Sequence, residues 1–394
     1  MKSLRGMLLA SVLVLVPLAG CVFEPAESAK EESIEAIFSF SPKTNIMEGT
    51  EITFDGSSSL PQDQSLTYKW DFDGDGSTDA TGKSAEHSYA KADVYAATLT
   101  VSSGSKEASQ TREITVAAAD ASPPKANAGS GGMSDDCEGE DVSSESYYIY
   151  HICEMDNQIS SRRVSATTTV DLDGSSSTAG GSDDFIASWE WDLNLGEDSD
   201  GDGHPENDAD LTGESPSWKN VAPGKYEINL TVTDGEGLSA NDKVYVYVNY
   251  VGKWSDFQIN GNTSNKAVDL DFEFSVSYNT ESNNKLRRIQ AELTYPEHDD
   301  DWVVGSEQSR NQLDLLVFDS EEEYISGTNQ TAPDPDTRNH GDCDDENDDC
   351  VWLTVSGFYA SDSHHGDGEW EMLLRNEKVN DVQVTELVLR ILYK

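Results

Sequence analysis

The chain has 394 residues and carries 75 Asp and Glu against 26 Lys and Arg, a formal net charge of −49. Proteins bind a phosphate backbone through clustered Lys and Arg, so this balance argues against a nucleic-acid partner. Hydrophobic residues make up 36% of the chain, which is enough to build packed cores and argues against wholesale disorder. The length predicts two to four domains, in an acidic protein whose natural counterions are cations.

The N-terminal segment predicts export. Two basic residues precede an apolar run at 7–18, which is too short to span a bilayer but typical of a signal peptide. The run ends in Leu-Ala-Gly-Cys at 18–21, which resembles the lipobox of prokaryotic lipoproteins. The resemblance implies a signal peptide at 1–20, a lipid on Cys21, a tether at 21–33 and an extracytoplasmic, membrane-anchored protein. The alternative is an ordinary signal peptide with a coincidental cysteine.

The four remaining cysteines fall into two local pairs, Cys137 with Cys153 and Cys343 with Cys350. An even number of cysteines in an exported chain predicts disulfides. Metal binding by thiolates is the competing interpretation, although the chain has no C-x-x-C motif. We therefore expect two local disulfide bridges.

Residues 34–250 alternate between apolar and polar positions, with turns rich in Gly, Asp and Ser, and so predict β-strands. Three blocks occur twice in the same order within this region. They are D-G-S-S-S at 55–59 and 173–177, an aromatic block with Trp70-Asp71 and Trp191-Asp192, and L-T-V at 99–101 and 230–232. These blocks resemble PKD domains, which are immunoglobulin-like β-sandwiches. The resemblance implies tandem sandwiches at 34–117 and 123–250, joined by a linker at 118–122.

The repeated residues also have a physical reading. Trp70 and Trp191 are expected to fill the core between the two sheets. The D-G-S-S-S blocks predict turns in which Asp and Ser side chains bond nearby backbone amides. Longer spacing in the second copy predicts insertions at about 130–165 and 196–214. The first of these contains Cys137 and Cys153, and we expect a disulfide-closed excursion such as a hairpin.

Residues 251–394 lack the repeated blocks and predict a third domain. Strict alternation at 268–278 indicates a half-buried antiparallel strand. Further strands are predicted at 286–295, 313–318, 351–358, 368–374 and 382–393. Short motifs loosely resemble the jelly-roll modules that follow secreted proteases, the pre-peptidase C-terminal and convertase P domains. The predicted fold class is therefore all-β: tandem immunoglobulin-like (PKD) sandwiches followed by a third β-sandwich or jelly roll.

Catalytic motifs are missing from the sequence. None of the seven histidines lies in H-E-x-x-H, and there is no G-x-S-x-G or Walker-type phosphate loop. The segment His364-His365-Gly366-Asp367-Gly368-Glu369 offers imidazoles and carboxylates for a transition metal, but a polar loop before a strand explains it more simply. We therefore predict a protein that is not an enzyme and needs no organic cofactor.

The spacing of the acids predicts calcium binding, because alternate carboxylates and a turn glycine suit a hard cation. One loop resembles those of thrombospondin type-3 repeats and dockerins and offers Asp198, Asp200, Asp202, Glu206, Asp208 and Asp210. Ala209 stands where an EF-hand has its bidentate Glu. A second loop offers Asp71, Asp73, Asp75 and Asp79, which alternatively cap backbone amides. A third acidic loop holds Asp342, Asp344, Asp345, Glu346, Asp348 and Asp349. The simpler alternative is a solvated acidic surface that attracts cations diffusely.

PKD domains commonly serve as spacers and interaction modules, so the resemblance implies a surface protein that binds an extracellular glycan or protein. The alternative is an accessory subunit of a secreted hydrolase, such as a protease or a polysaccharide-degrading enzyme. Aromatic residues that could stack on sugar rings are Trp254, Trp302 and the cluster at 147–150, although burial in a core explains each of them equally well.

Overall fold

The computed structural model describes residues 33–62, 65–132, 134–199, 208–262, 266–277, 286–298, 311–328, 339–340, 347–356 and 367–394. Regular structure in these ranges consists of strands only, which confirms the all-β prediction. No helix occurs there, and so none that could cross a membrane.

The first repeat has seven strands. They are β1 (Ser39–Ser41), β2 (Ile52–Asp55), β3 (Thr67–Asp71), β4 (Ala80–Thr81), β5 (Ser84–His87), β6 (Asp93–Ser103) and β7 (Lys106–Val116). They form two sheets with the orders β1-β2-β5 and β4-β3-β6-β7. In β6 the buried residues alternate at Ala97, Leu99 and Val101, so one face of the strand lies in the core.

The tryptophan of each repeat lies in its core, as the sequence predicted. Trp70 is fully buried, with its ring 5.3 Å from that of Phe38 in an edge-to-face contact. Its indole N–H donates to the carbonyl of Gly82 at 2.9 Å. Trp191 is also fully buried and donates to the carbonyl of Gly213 at 3.0 Å. Both side chains therefore combine a large apolar contact with a satisfied polar group.

The D-G-S-S-S blocks form the predicted turns. In each block an aspartate oxygen accepts the backbone N–H two residues further on. Asp55 accepts from Ser57 at 2.9 Å, and Asp173 accepts from Ser175 at 3.0 Å. These bonds are the local side-chain contacts that favour turns over strands at such positions.

The second repeat and its insertions contribute ten strands. They are β8 (Ser134–Asp135), β9 (Asp141–Val142), β10 (Tyr148–Asn157), β11 (Arg163–Val164), β12 (Thr168–Asp171), β13 (Ile186–Asp192), β14 (Leu211–Thr212), β15 (Ser217–Val221), β16 (Gly224–Asp234) and β17 (Ser239–Ile259). One sheet contains β14-β13-β16-β17, and the other pairs β12 with β15.

The C-terminal region adds eight strands. They are β18 (Val268–Val276), β19 (Arg288–Pro296), β20 (Leu313–Phe318), β21 (Tyr324–Gly327), β22 (Asn339–His340), β23 (Asp348–Ser356), β24 (Gly368–Asn376) and β25 (Val382–Leu392). The six predicted strands are all present, with ends that differ by a few residues. The second half of β17 belongs to a sheet that continues in the order β25-β19-β23-β22. A further sheet has the order β11-β18-β24-β20-β21. Trp254 packs on Phe272 at 4.9 Å and so joins the two sheets as a β-sandwich.

The boundary predicted between residues 250 and 251 falls inside β17. The first part of this 21-residue strand pairs with β16, from Ser239 to Val248. The second part pairs with β25, from Tyr250 to Ile259. The second repeat and the C-terminal sandwich therefore share one continuous strand.

The insertion at 130–165 contains a short hairpin. It also contains a longer strand, β10, that the sequence did not predict. β8 and β9 pair antiparallel, and Cys137 between them is bonded to Cys153 on β10. β10 itself pairs parallel with β17, from Tyr148 opposite Val246 to Glu154 opposite Gly252. A strand has two edges. Because β16 and β25 pair with these same parts of β17, β10 lies along the opposite edge and spans the point where the two partners meet.

Candidate functional sites: acidic loops and an aromatic surface

The acidic loop of the first repeat begins where β3 ends. Asp71 is the last residue of that strand, and its carboxylate lies near those of Asp73 and Asp79, with one oxygen from each within 4.8 Å of the others. Three of the four predicted ligands therefore come together. Asp75 is not part of this group.

Backbone amides already contact these carboxylates. Asp71 accepts the N–H of Gly74 through Oδ1 and that of Gly76 through Oδ2, each at 2.8 Å. Both glycines have positive φ, of 72° and 85°, a conformation that few other residues adopt. Asp79 accepts the N–H of Phe72 at 2.8 Å. A carboxylate has about four acceptor sites, so these bonds leave capacity for a cation.

The acidic loop of the second repeat makes the same backbone hydrogen bonds as that of the first, and we call this shared pattern the frame. In the first repeat the N–H of Asp79 donates to the carbonyl of Trp70 at 2.8 Å. In the second, the N–H of Asp210 donates to the carbonyl of Trp191 at 2.8 Å, and Asp210 accepts the N–H of Leu193 at 2.7 Å. Asp210 is therefore the counterpart of Asp79, and Asp192, the residue after the tryptophan, is the counterpart of Asp71.

The two loops differ in how deeply their carboxylates are buried. Asp192 is 3% exposed and Asp208 is 4% exposed. The Oδ2 atom of Asp192 and the Oδ1 atom of Asp208 are buried and receive no hydrogen bond. Burial raises the pKa of Asp192 to about 6, and the charges of Asp210 and Asp208 add to this shift; the N–H of Asn194 and the positive charge of Lys243 oppose it in part. The anionic form is thus disfavoured unless a positive charge compensates it.

The structure changes the ligand set that the second loop offers. Asp200, Asp202 and Glu206 lie outside the described residues, and Asp198 is exposed. The charges of Asp208 and Asp210 raise the pKa of Asp192, a residue that the D-x-D-G-D-G spacing did not include. Alignment of the two W-D blocks is the signal that could have found it, because Asp71 had already been chosen in the first copy.

The other predicted sites fall largely outside the described residues. Of the third acidic loop, only Asp348 and Asp349 are described, and Asp349 is buried. Cys350 is described and buried, but Cys343 lies outside, so this disulfide stays a prediction. The same is true of Cys21 as the lipid site. The residues outside the description also include Asp342, Asp344, Asp345, Glu346, His364, His365, Gly366 and Trp302.

Several aromatic residues at the predicted cluster are buried, and others reach the surface. Trp254 is 1% exposed and donates its indole N–H to the carbonyl of Ser161, so it is a core residue. Tyr148 is also buried. Tyr147, however, is partly exposed and belongs to a group that we call the Tyr–Lys surface, made of the partly exposed Tyr147, Tyr245, Lys225 and Lys394 around the buried Tyr247.

Lysine ammonium groups lie over the rings of the Tyr–Lys surface. Nζ of Lys225 is 4.3 Å from the ring centre of Tyr245, and Nζ of Lys394 is 4.2 Å from that of Tyr147. Tyr247 lies between them, 5.2 Å from Tyr147. These distances are those of cation–π contacts. They place two positive charges on an aromatic patch in a chain of strongly negative net charge.

Paired sheets around a buried tryptophan, repeated along one chain, define a tandem immunoglobulin-like β-sandwich protein. Residues 36–117 match a family described as PKD domain, and residues 159–248 match a second family that is also described as a PKD domain. The chain therefore carries two PKD domains in tandem, as the repeated blocks predicted. No catalytic family is indicated. No curated protein matches the chain.

Solved β-sandwich structures align with the chain at low similarity. A structure of carbohydrate-binding modules from the β-sandwich superfamily covers 91% of this chain and 96% of its own, at 12% identity and a TM-score of 0.21. Fibronectin(III)-like modules of Clostridium thermocellum CbhA cover 54% and 95%, at 12% identity and a TM-score of 0.25. Bacteroides ovatus SGBP-B, in complex with a mixed-linkage heptasaccharide, covers 90% and 99%, at 9% identity and a TM-score of 0.16. TM-scores this low define no common domain arrangement and say nothing about a ligand.

Proposed function

We propose that this protein is a non-catalytic, lipid-anchored surface protein whose sandwiches act as binding or spacer modules for an extracellular glycan or protein. The observation that carries the proposal is the tandem pair of PKD domains followed by a third sandwich, with no catalytic family indicated. Lipidation of Cys21 rests on the sequence at 18–21. Cys21→Ser should move the protein from the membrane fraction to the soluble fraction, and a variant that stays with the membrane would contradict the anchor.

The Tyr–Lys surface, formed by the second repeat together with Lys394, is the region that we propose for ligand contact. Tyrosine rings can stack on sugar rings, and the two lysines can donate hydrogen bonds to hydroxyl or carboxylate oxygens. Trp352 offers a different aromatic surface in the C-terminal sandwich, where its side chain is 43% exposed.

A glycan array with the full chain tests this assignment. If a glycan binds, Tyr147→Ala with Tyr245→Ala should lower its affinity at least tenfold, while Trp352→Ala leaves it unchanged. The reverse pattern would assign the ligand to the C-terminal sandwich. No binding to any glycan or envelope protein would leave only the spacer role.

We also propose that calcium stabilises the protein through the acidic loops of both repeats. In the first repeat Asp71, Asp73 and Asp79 would hold the ion. In the second repeat Asp192, Asp208 and Asp210 would hold it. Further ligands from the same loop would be Asp198, Asp200, Asp202 and Glu206. Carboxylate oxygens are the ligands that calcium prefers, and the unbonded oxygens of Asp192 and Asp208 support the second site most directly.

Calcium titration by calorimetry in about 0.15 M salt tests this proposal. Specific sites should saturate at a small whole number of ions per chain and raise the melting temperature above that in chelator. A heat that disappears when sodium chloride is added would mean that the acids attract calcium only diffusely.

A further inference from the structure

Two acids outside the acidic loops meet at the end of the second repeat. Asp234 is the last residue of β16, and Asp184 lies two residues before β13. Ile186 pairs with Asp234 across these two strands, and this pairing brings the acid-bearing segments together. The N–H of Gly235 donates to the carbonyl of Phe185 at 2.9 Å, so the connection continues past the last strand pair.

Each of these carboxylates has one oxygen that accepts backbone amides. Oδ1 of Asp184 accepts the N–H groups of Phe185 at 2.8 Å and Gly235 at 3.1 Å. Oδ1 of Asp234 accepts those of Glu236 at 3.1 Å and Leu238 at 2.8 Å. These bonds fix both side chains, because each carboxylate is held from two directions.

The other oxygen of each acid lacks a donor. Oδ2 of Asp184 and Oδ2 of Asp234 are both buried and receive no hydrogen bond, and Asp234 as a whole is 2% exposed. Neither acid forms an ion pair with Lys or Arg among the described residues. The bond from Gly235 to Asp184 and the pairing of Ile186 with Asp234 bring the two acids together. Burial raises the pKa of Asp234, and the charge of Asp184 and the side-chain hydrogen bond that a protonated carboxyl group would make between the two acids raise it further. Two adjacent buried anions are costly unless a cation or a proton lies between them.

We propose that a calcium ion binds between Oδ2 of Asp184 and Oδ2 of Asp234 and ties the segment before β13 to the turn between β16 and β17. Calcium accepts carboxylate ligands in flexible geometry and completes its shell with carbonyl oxygens or water. The site is separate from both acidic loops and does not rest on their binding calcium. At the position of Asp234 the first repeat has Ser103, so the site belongs to the second repeat alone.

The packing around the site requires a glycine next to the acids. A Cβ atom at Gly235 would lie 2.8 Å from the ring of Phe185 and 2.9 Å from Oδ1 of Asp184. A side chain at residue 235 would force Phe185 or Asp184 to move. Phe185 itself is 65% exposed.

The test compares three full-length variants by calcium calorimetry in about 0.15 M salt and by thermal melts with and without chelator. Asp234→Asn should bind one calcium fewer per chain than the parent. Asp184→Asn should do the same, and it guards against a folding defect because its residue is less buried. Glu236→Gln removes an exposed charge from the same turn and should keep the parent's stoichiometry.

The melts separate calcium from a shared proton. In chelator, Asp234→Asn should melt at or above the parent because it removes repulsion, and calcium should raise its melting temperature by less than that of the parent. A parent-like stoichiometry and calcium shift would overturn the proposal and leave two acids that share a proton. Asp192→Asn reports on the acidic loop separately, so failure of the loop site and failure of this site are distinguishable.

Discussion

The acidic loops of the two repeats have the same backbone frame and different chemistry. In both, the aspartate after the tryptophan begins the loop, and a later aspartate bonds back to the strand. Both oxygens of Asp71 accept glycine amides and its loop is largely exposed. Asp192 is buried, and its Oδ2 receives no hydrogen bond. The number of acids is therefore a poor guide to where a cation is needed.

Solvent explains the difference. An exposed carboxylate is stabilised by water, and backbone amides add to that stabilisation, so we expect calcium to add less stability to the first loop. Asp192 keeps one donor, the N–H of Asn194 on Oδ1, but its buried Oδ2 loses its hydration and receives no hydrogen bond in return. We therefore expect the second loop to depend on a cation more than the first, although the D-x-D-G-D-G spacing is the same in both.

The largest expected effect tests whether the two frames are equivalent. Trp70→Ala and Trp191→Ala each remove a fully buried indole and leave a glycine carbonyl without its donor. Each should cost about 3–5 kcal/mol of unfolding free energy, measured by urea titration with circular dichroism. Trp352→Ala, at a partly exposed position, is the control and should cost less than about 1 kcal/mol. A loss at one core tryptophan only would show that the frames differ.

The disulfide gives the second repeat a constraint that the described part of the first lacks. Cys137 and Cys153 are 16 residues apart, and closure of such a loop is worth about 3 kcal/mol in the chain-entropy model. Replacing both by serine should lower the urea midpoint of the second repeat by a corresponding amount. The matched control changes the other predicted pair, Cys343→Ser with Cys350→Ser. If replacing Cys137 and Cys153 costs no stability, β10 is held by its pairing with β17 alone.

In chelator, replacing the Asp after the tryptophan by Asn should change the stability of the protein in opposite directions in the two loops. Asp71→Asn replaces one acceptor oxygen by an amide nitrogen and should cost about 1 kcal/mol. Asp192→Asn keeps the oxygen that accepts Asn194 and removes a buried charge, so it should leave stability unchanged or raise it by about 1 kcal/mol. Thermal melts in chelator measure both changes, and equal losses would refute the contrast.

The glycines of the D-G-S-S-S blocks give the smallest expected effect. A Cβ at Gly56 would lie 2.9 Å from a methyl of Leu99, and one at Gly174 would lie 3.0 Å from the ring of Trp189. Either side chain can shift, and alanine reduces the entropy of the unfolded chain. Each change to alanine should therefore cost less than about 1 kcal/mol in denaturant titration, and a loss above about 3 kcal/mol in one repeat only would mean that its turn is packed more tightly.

Local patterns predicted the parts of the fold that depend on neighbouring residues. Alternation gave the strands of the C-terminal sandwich, and the repeated blocks gave the core tryptophans and the turns at Asp55 and Asp173. The disulfide between Cys137 and Cys153 was predicted from the even number of cysteines and from the expected export of the chain. Each of these features is set by the period of a strand or by the chemistry of a short turn.

Features that depend on tertiary contacts were not predicted. The residue pattern of β10 does not show which strand it pairs with. The edge of β17 that accepts a parallel strand depends on where β16 and β25 lie. Asp192 was passed over because its burial follows from packing and not from spacing. The pair Asp184 and Asp234 is 50 residues apart in the chain, and only the pairing of β13 with β16 brings it together.

The most direct measurement is the calcium-induced rise in melting temperature of the parent compared with Asp192→Asn, in about 0.15 M salt. An ion present at 100 times its dissociation constant stabilises a folded site by about 2.7 kcal/mol, which is several degrees for a unit of this size. The parent should gain these degrees, and Asp192→Asn should lose a large part of the gain. An equal rise in both proteins would contradict the claim that the buried carboxylates of the second repeat bind calcium.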